Sequence, residues 1–180
     1  MLMEKEKSSL LLIDVQEKLT PHVLHVDALI QRCHWLMRLA DELDVPLLIS
    51  EQYPQGLGHT VEALNEFKPV KCINKVHFSG YRESSFIQSW QEIDKQQAVI
   101  AGIETHVCVL QTAMDMNEAG LDVFVVVDAV SSRHELDHKY GLKRMKQAGI
   151  HLVTAEMVFF EWVHRAGTPE FKDLSQRFLR

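Results

Sequence analysis

Polar and apolar positions along this chain sort into two kinds of segment. Short unbroken apolar runs, the mark of strands buried on both faces, occupy residues 10–13, 46–50, 98–102 and 122–127, with weaker runs at 72–76 and 151–154. Between them the apolar positions recur at helical spacing. Leu29, Ile30, Cys33, Leu36, Met37 and Ala40 predict a helix over residues 26–43. Further helices are predicted over 84–93, over 106–118 with Gly120 closing it, and over 136–148 with Gly149 beyond it. Residues 51–58, with Pro54, Gly56 and Gly58, read as a loop.

Strands alternating with helices imply a parallel sheet with crossover helices on both faces. The expectation is therefore an α/β protein of three layers, α/β/α, Rossmann-like and doubly wound, with a six-stranded, mainly parallel sheet. No repeat, low-complexity tract or linker interrupts it, so residues 1–180 read as a single domain. In such sheets ligands bind beyond the carboxyl ends of the strands, at the switch point of strand order. Asp14, Ser50, Lys75 and Cys108 each follow a predicted strand, with Asp128 as an outer candidate. Any one of them alone reads equally as a turn or cap residue.

Composition narrows the partners. The 180 residues are 46% hydrophobic, enough for one well-buried core. A formal charge of −6 without a basic block argues against nucleic acid or an anionic membrane as partner. No apolar run approaches the roughly 20 residues that span a bilayer. The three cysteines, Cys33, Cys72 and Cys108, are an odd number with no Cys-x-x-Cys pair. A reducing, cytoplasmic setting is expected, with neither a disulfide framework nor a zinc cluster.

The chemistry concentrates in residues 98–109, where a strand enters a Gly-containing turn and Cys108 follows at the expected helix start. Unpaired N–H groups there favour the thiolate and could hold an oxyanion. A cysteine nucleophile also needs a base, which Asp14 could supply, and a nearby cation, which Lys75 could supply. Taken singly, Cys108 reads as well as a small buried hydrophobe, Asp14 as a turn residue and Lys75 as a solvated charge.

The blocks Ile13-Asp14-Val15-Gln16, Asn74-Lys75-Val76-His77-Phe78-Ser79 and Gly102-Ile103-Glu104-Thr105-His106-Val107-Cys108-Val109 occur in that order. With Gln111-Thr112-Ala113 and Asp128-Ala129-Val130-Ser131-Ser132-Arg133, they resemble the isochorismatase-like hydrolases, or cysteine hydrolases, which include nicotinamidases. The resemblance implies Asp14 as general base and acid, Lys75 as electrostatic partner and Cys108 as nucleophile. It implies a cis peptide between Ile103 and Glu104, with the N–H groups of Glu104 and Cys108 as the oxyanion hole. It further implies a small-molecule amide or related C–N substrate, a thioester intermediate, no organic cofactor, and assembly as a homodimer or larger oligomer.

Two departures restrict the substrate. The Asp-x-His metal motif of nicotinamidases is replaced by residues 50–59, where Glu51 and His59 are a poor substitute, so no metal is expected. Isochorismatases proper lack a cysteine at the place of Cys108. His134-Glu135-Leu136-Asp137-His138 matches H-E-x-x-H and offers a zinc-hydrolase alternative, although Ser132-x-x-Glu135 fits a capping box equally. A non-catalytic binding module retaining the fold is another alternative. Gln16, Tyr53, Phe78 and Tyr81 are candidate pocket residues. Phe159, Phe160 and Trp162 are candidates for the pocket or a subunit contact, with core packing the default reading, and the run through Met157 and Val158 could serve a subunit contact.

Overall fold

A computed structural model describes residues 1–179. Six strands form one sheet: β1 (Ser8–Ile13), β2 (Leu47–Gln52), β3 (Lys71–Lys75), β4 (Gln97–Ile103), β5 (Asp122–Ser131) and β6 (His151–Val153). Their order is β3-β2-β1-β4-β5-β6, and every neighbouring pair is parallel. The chain thus builds outward from β1 in one direction, then crosses back to β4 on its other side. The switch point falls between β1 and β4, where Asp14 and Cys108 leave the sheet.

The continuous apolar runs follow from two cores. Leu10 and Leu12 face one core and Leu11 and Ile13 the other, as successive side chains of a strand must. Helix α1 (Val26–Glu42) packs on the first face, burying Leu29, Cys33, Leu36 and Met37. Two C-terminal helices join it there. The short Pro54–Leu57 turn is α2, and α3 (Ser84–Ile93), α4 (Leu110–Glu118) and α5 (Glu135–Gln147) cover the opposite face. The C-terminal pair, α6 (Ala155–Val163) and α7 (Pro169–Phe178), begins at Thr154 and Thr168. Each threonine hydroxyl accepts the N–H three residues on, the usual N-cap device. No helix of the described residues is long and apolar enough to cross a membrane.

The six strands and the doubly wound order match the sequence expectation, and the boundaries differ in instructive places. β2 continues through Glu51 and Gln52, and the expected loop contains α2. The predicted helix at 106 opens instead as a π-helical turn, Thr105–Val109, before α4. β5 runs on to Ser131, and an irregularity opposite residues 100–102 absorbs the extra residues. Asp128 lies in that irregularity rather than beyond the strand end. It pairs with Arg32 of α1 at 3.1 Å and accepts the Ala155 N–H at 2.9 Å, which places it outside the site.

Candidate active site

Asp14 leaves β1 with φ at 52°, a left-handed conformation, while its N–H still bonds the Ser50 carbonyl at 3.0 Å. Its carboxylate Oδ1 accepts the Ser50 hydroxyl at 2.8 Å, and Oδ2 lies 2.7 Å from Lys75 Nζ. Both charged side chains are fully buried. Lys75 ends β3 on the same inward alternation as Ile73, which carries its ammonium under the sheet edge. Gln52 Oε1 accepts from it at 2.5 Å, and the carbonyls of Phe78 and His77 accept at 3.0 and 3.3 Å. The cation is therefore desolvated but well partnered, the condition under which a buried ion pair is tolerated. Burial raises the Asp14 carboxyl above its ordinary range against the opposing pull of Lys75.

Sequence reasoning missed Gln52. Ser50 and Gln52 are two apart on β2, so both project to the same side, one to Asp14 and the other to Lys75. Extending the period-two pattern past Ser50 would have revealed it. Gln16, a candidate pocket residue, is completely buried, and its amide nitrogen donates to the carbonyls of Gln52 (3.0 Å) and Gly58 (2.7 Å). Glu51, on the opposite face of β2, accepts the N–H and hydroxyl of Thr60 at 2.7 and 2.9 Å and contacts His59 at 2.9 Å. Burial would raise its carboxyl, and the contacts from Thr60 and His59 together hold it below the usual value. Its carboxylate thus anchors the returning loop.

Cys108 reaches the same place from β4. Gly102, at φ 120°, sits so close to β1 that a Cβ there would lie 2.1 Å from the Ile13 carbonyl oxygen. The Ile103–Glu104 peptide bond is cis. In the π-helical turn, the Glu104 carbonyl accepts from the N–H groups of Val107 at 3.0 Å and Val109 at 3.2 Å. Cys108 is 6% exposed, with Sγ 4.0 Å from Gln52 Oε1. Burial and the adjacent Asp14 charge push its thiol up to about 12, outweighing Lys75. Burial and Asp14 thus oppose the draw toward thiolate that a helix start alone would exert.

Of the other candidates, Tyr53 and Phe78 are about half exposed, and Tyr81 packs edge-on to Phe86. Phe159 and Trp162 belong to the core, whereas Phe160 and Met157 are half exposed on α6. Of the H-E-x-x-H residues, His134 stands at the N-cap position of α5 without a side-chain cap bond, and His138 Nδ1 lies 2.9 Å from the Thr105 hydroxyl. Among the described residues, no three His, Cys, Asp or Glu side chains are grouped to hold a metal ion.

Fold and site together define a doubly wound parallel α/β protein with a buried carboxylate–ammonium pair facing a cysteine at the switch point. The isochorismatase domain family matches residues 8–157, and the chain belongs to that family. It is 38% identical over 179 residues to isochorismatase domain-containing protein 2 of Rattus norvegicus, covering 97% of this chain and 82% of that one. Among solved structures, the MAR1 ribonuclease of Caenorhabditis elegans superposes with a TM-score of 0.92 at 36% identity, covering 100% of this chain and 93% of the other. The YcaC gene product of Escherichia coli, described as an octameric hydrolase of unknown specificity, superposes at 0.89 with 26% identity, covering 99% and 91%.

Proposed function

We propose that this chain is a cysteine hydrolase of a small amide or related C–N bond, working through a thioester on Cys108. The observation that carries this reading is the fully buried Asp14–Lys75 pair, 2.7 Å apart, bearing on the Cys108 thiol. Substrate entry brings a carbonyl against Sγ, and Asp14 takes the thiol proton as the sulfur attacks. A raised carboxyl is a suitable base here, because it then returns that proton to the leaving amine. Lys75 stabilises the negative charge as it moves from carboxylate to sulfur. The N–H groups of Glu104 and Cys108 receive the oxyanion. Water deprotonated by Asp14 cleaves the thioester, releasing the acid and restoring the thiol.

Tyr53 and Phe78, exposed beside the Lys75 loop, would line the substrate mouth together with Tyr81. We further propose that the chain forms one domain, resides in the cytoplasm and assembles into a homo-oligomer, as the E. coli protein does. A ribonuclease activity like that named for the C. elegans protein is disfavoured by the formal charge of −6, the wrong sign for a phosphate backbone.

An amide-substrate screen with mass detection of a Cys108 acyl adduct tests the proposal. The expected result is turnover by the parent and none by Cys108→Ala. A Cys108→Ala protein that folds normally and keeps full turnover would overturn it.

A further inference from the structure

The segment carrying His134 and His138 matched a zinc pattern, yet the structure gives it other work. Three consecutive residues between the cis peptide and Cys108 are each tied to it by a side chain. Glu104 Oε2 accepts from Arg133 N and Arg133 Nε, both at 3.0 Å. The Thr105 hydroxyl lies 2.9 Å from His138 Nδ1, and His106 Nδ1 lies 3.0 Å from the Ser132 hydroxyl. Gly141 lies three residues beyond His138, so both share a face of α5. A Cβ at Gly141 would come within 3.1–3.2 Å of the His106 backbone. The helix is therefore seated directly on the turn that presents the thiol.

The Thr105–His138 contact joins a buried hydroxyl to a partly buried ring. Thr105 is completely buried, so its hydroxyl has no water to turn to, and a missing partner would leave it unsatisfied. Burial, with His25 nearby, lowers the His138 basicity and favours the neutral ring. A neutral imidazole offers one acceptor nitrogen, which suits it to receive the Thr105 hydroxyl. His138 also lines a cavity of about 420 Å³, together with Ala28, Leu29 and Val130.

We propose that His138 is a positioning residue for the Cys108 turn, acting through Thr105, and that residues 132–141 form a clamp fixing where the thiol and its flanking N–H groups point. The catalytic part of this assignment rests on the nucleophile reading of Cys108, and the clamp itself does not. His138 touches neither substrate nor the reacting sulfur in this scheme.

Site-resolved amide hydrogen exchange tests the clamp without requiring turnover. In His138→Ala, and equally in Thr105→Val, the Val107 and Val109 amides should exchange about tenfold faster, while core amides of β1 and β4 keep their protection. The double variant should be no faster than either single one, because both remove the same contact. His138→Gln, whose amide can still meet the hydroxyl, should restore slow exchange. Unchanged exchange at Val107 and Val109, or effects that add in the double variant, would overturn the proposal. Loss of protection throughout the core would do so as well, since His138 would then be a general stability residue.

Turnover of the best amide from the screen supplies the second reading. The expected result for His138→Ala is a fall in kcat of about tenfold with KM unchanged. Faster exchange at the turn with unaltered kcat overturns the positioning role. Absence of turnover in the parent overturns the nucleophile reading, and the exchange data still decide the clamp.

Discussion

Gln16 pairs with the backbone of Gln52 as a neighbouring strand would, donating to its carbonyl at 3.0 Å and accepting its N–H at 2.7 Å. The side chain of a residue beyond β1 thus extends the ladder by one rung. That rung holds Gln52 where its own amide meets Lys75. Gln16→Ala would leave two buried backbone groups unsatisfied, at about 1–3 kcal/mol each. We expect it to lower the unfolding midpoint in urea, and Gln16→Glu to lower it also, by replacing a donor with a charge. Unchanged midpoints would show that water takes over both bonds.

The thiol's resistance to ionisation has a separable cause. Beyond burial, the Asp14 charge pushes the Cys108 thiol up and Lys75 pulls it down. Asp14→Asn should therefore move Cys108 alkylation by iodoacetamide to lower pH while abolishing turnover. Lys75→Met should move it to higher pH. The exposed Cys72, itself pushed up to about 11, is best replaced by Ser so that only Cys108 is counted. Alkylation of Asp14→Asn at the parental rate at every pH would count against a direct coupling.

Acid stability should carry the signature of Glu83. Its carboxylate accepts the N–H groups of Val76 and His77 at 2.8 and 3.0 Å and contacts the His77 ring at 2.9 Å. Those contacts, the backbone bond from His77 first, hold it down to about 2 from 4.5. A depressed folded-state pKa stabilises above the unfolded value, and that contribution fades as pH falls from about 5 towards 2. The melting-temperature gap between parent and Glu83→Gln should accordingly narrow over that window. A gap that widens on acidification would contradict the assignment. Because this loop supplies the His77 and Phe78 carbonyls to Lys75, the same variant should reduce activity at neutral pH.

Gly102 tolerates no side chain. A Cβ would meet the Ile13 carbonyl oxygen at 2.1 Å and the Ile13 nitrogen at 2.7 Å, atoms fixed in the sheet. The backbone there is also left-handed, at φ 120°. Gly102→Ala should cost at least about 3 kcal/mol of stability, as backbone clashes of this kind do, measurable by urea unfolding. A loss below about 1 kcal/mol would mean that β1 and β4 can part without penalty.

The strands were legible because burial on both faces leaves a short apolar run bounded by polar or turn residues. Leu10–Ile13 announces β1, and the polar residue after it announces the sheet edge. What escaped notice was polar material inside strands. Glu51 and Gln52 read as loop because their burial depends on partners distant in sequence, namely Thr60, Gln16 and Lys75. The irregularity that carries Asp128 past the edge has no local signature. The helices α6 and α7 were not predicted from the sequence, and Thr154, read as the end of a strand, proves to be the N-cap of α6. Likewise the thiol is pushed up by desolvation and by Asp14, ninety-four residues away in the chain, which the local sequence of its turn does not reveal.

The Asp14–Lys75 pair constrains how this chain could change over generations. Removing either partner leaves a lone charge in a dry interior, typically costing about 3–5 kcal/mol, whereas replacing both with apolar groups is often neutral or favourable. Each single step away from the pair is therefore steep, and only a double step is easy. A lineage that no longer needed the chemistry would find greater stability on the far side of that barrier. Asp14 and Lys75 should for this reason change only as a pair, and in any relative of this fold they should be found together or missing together.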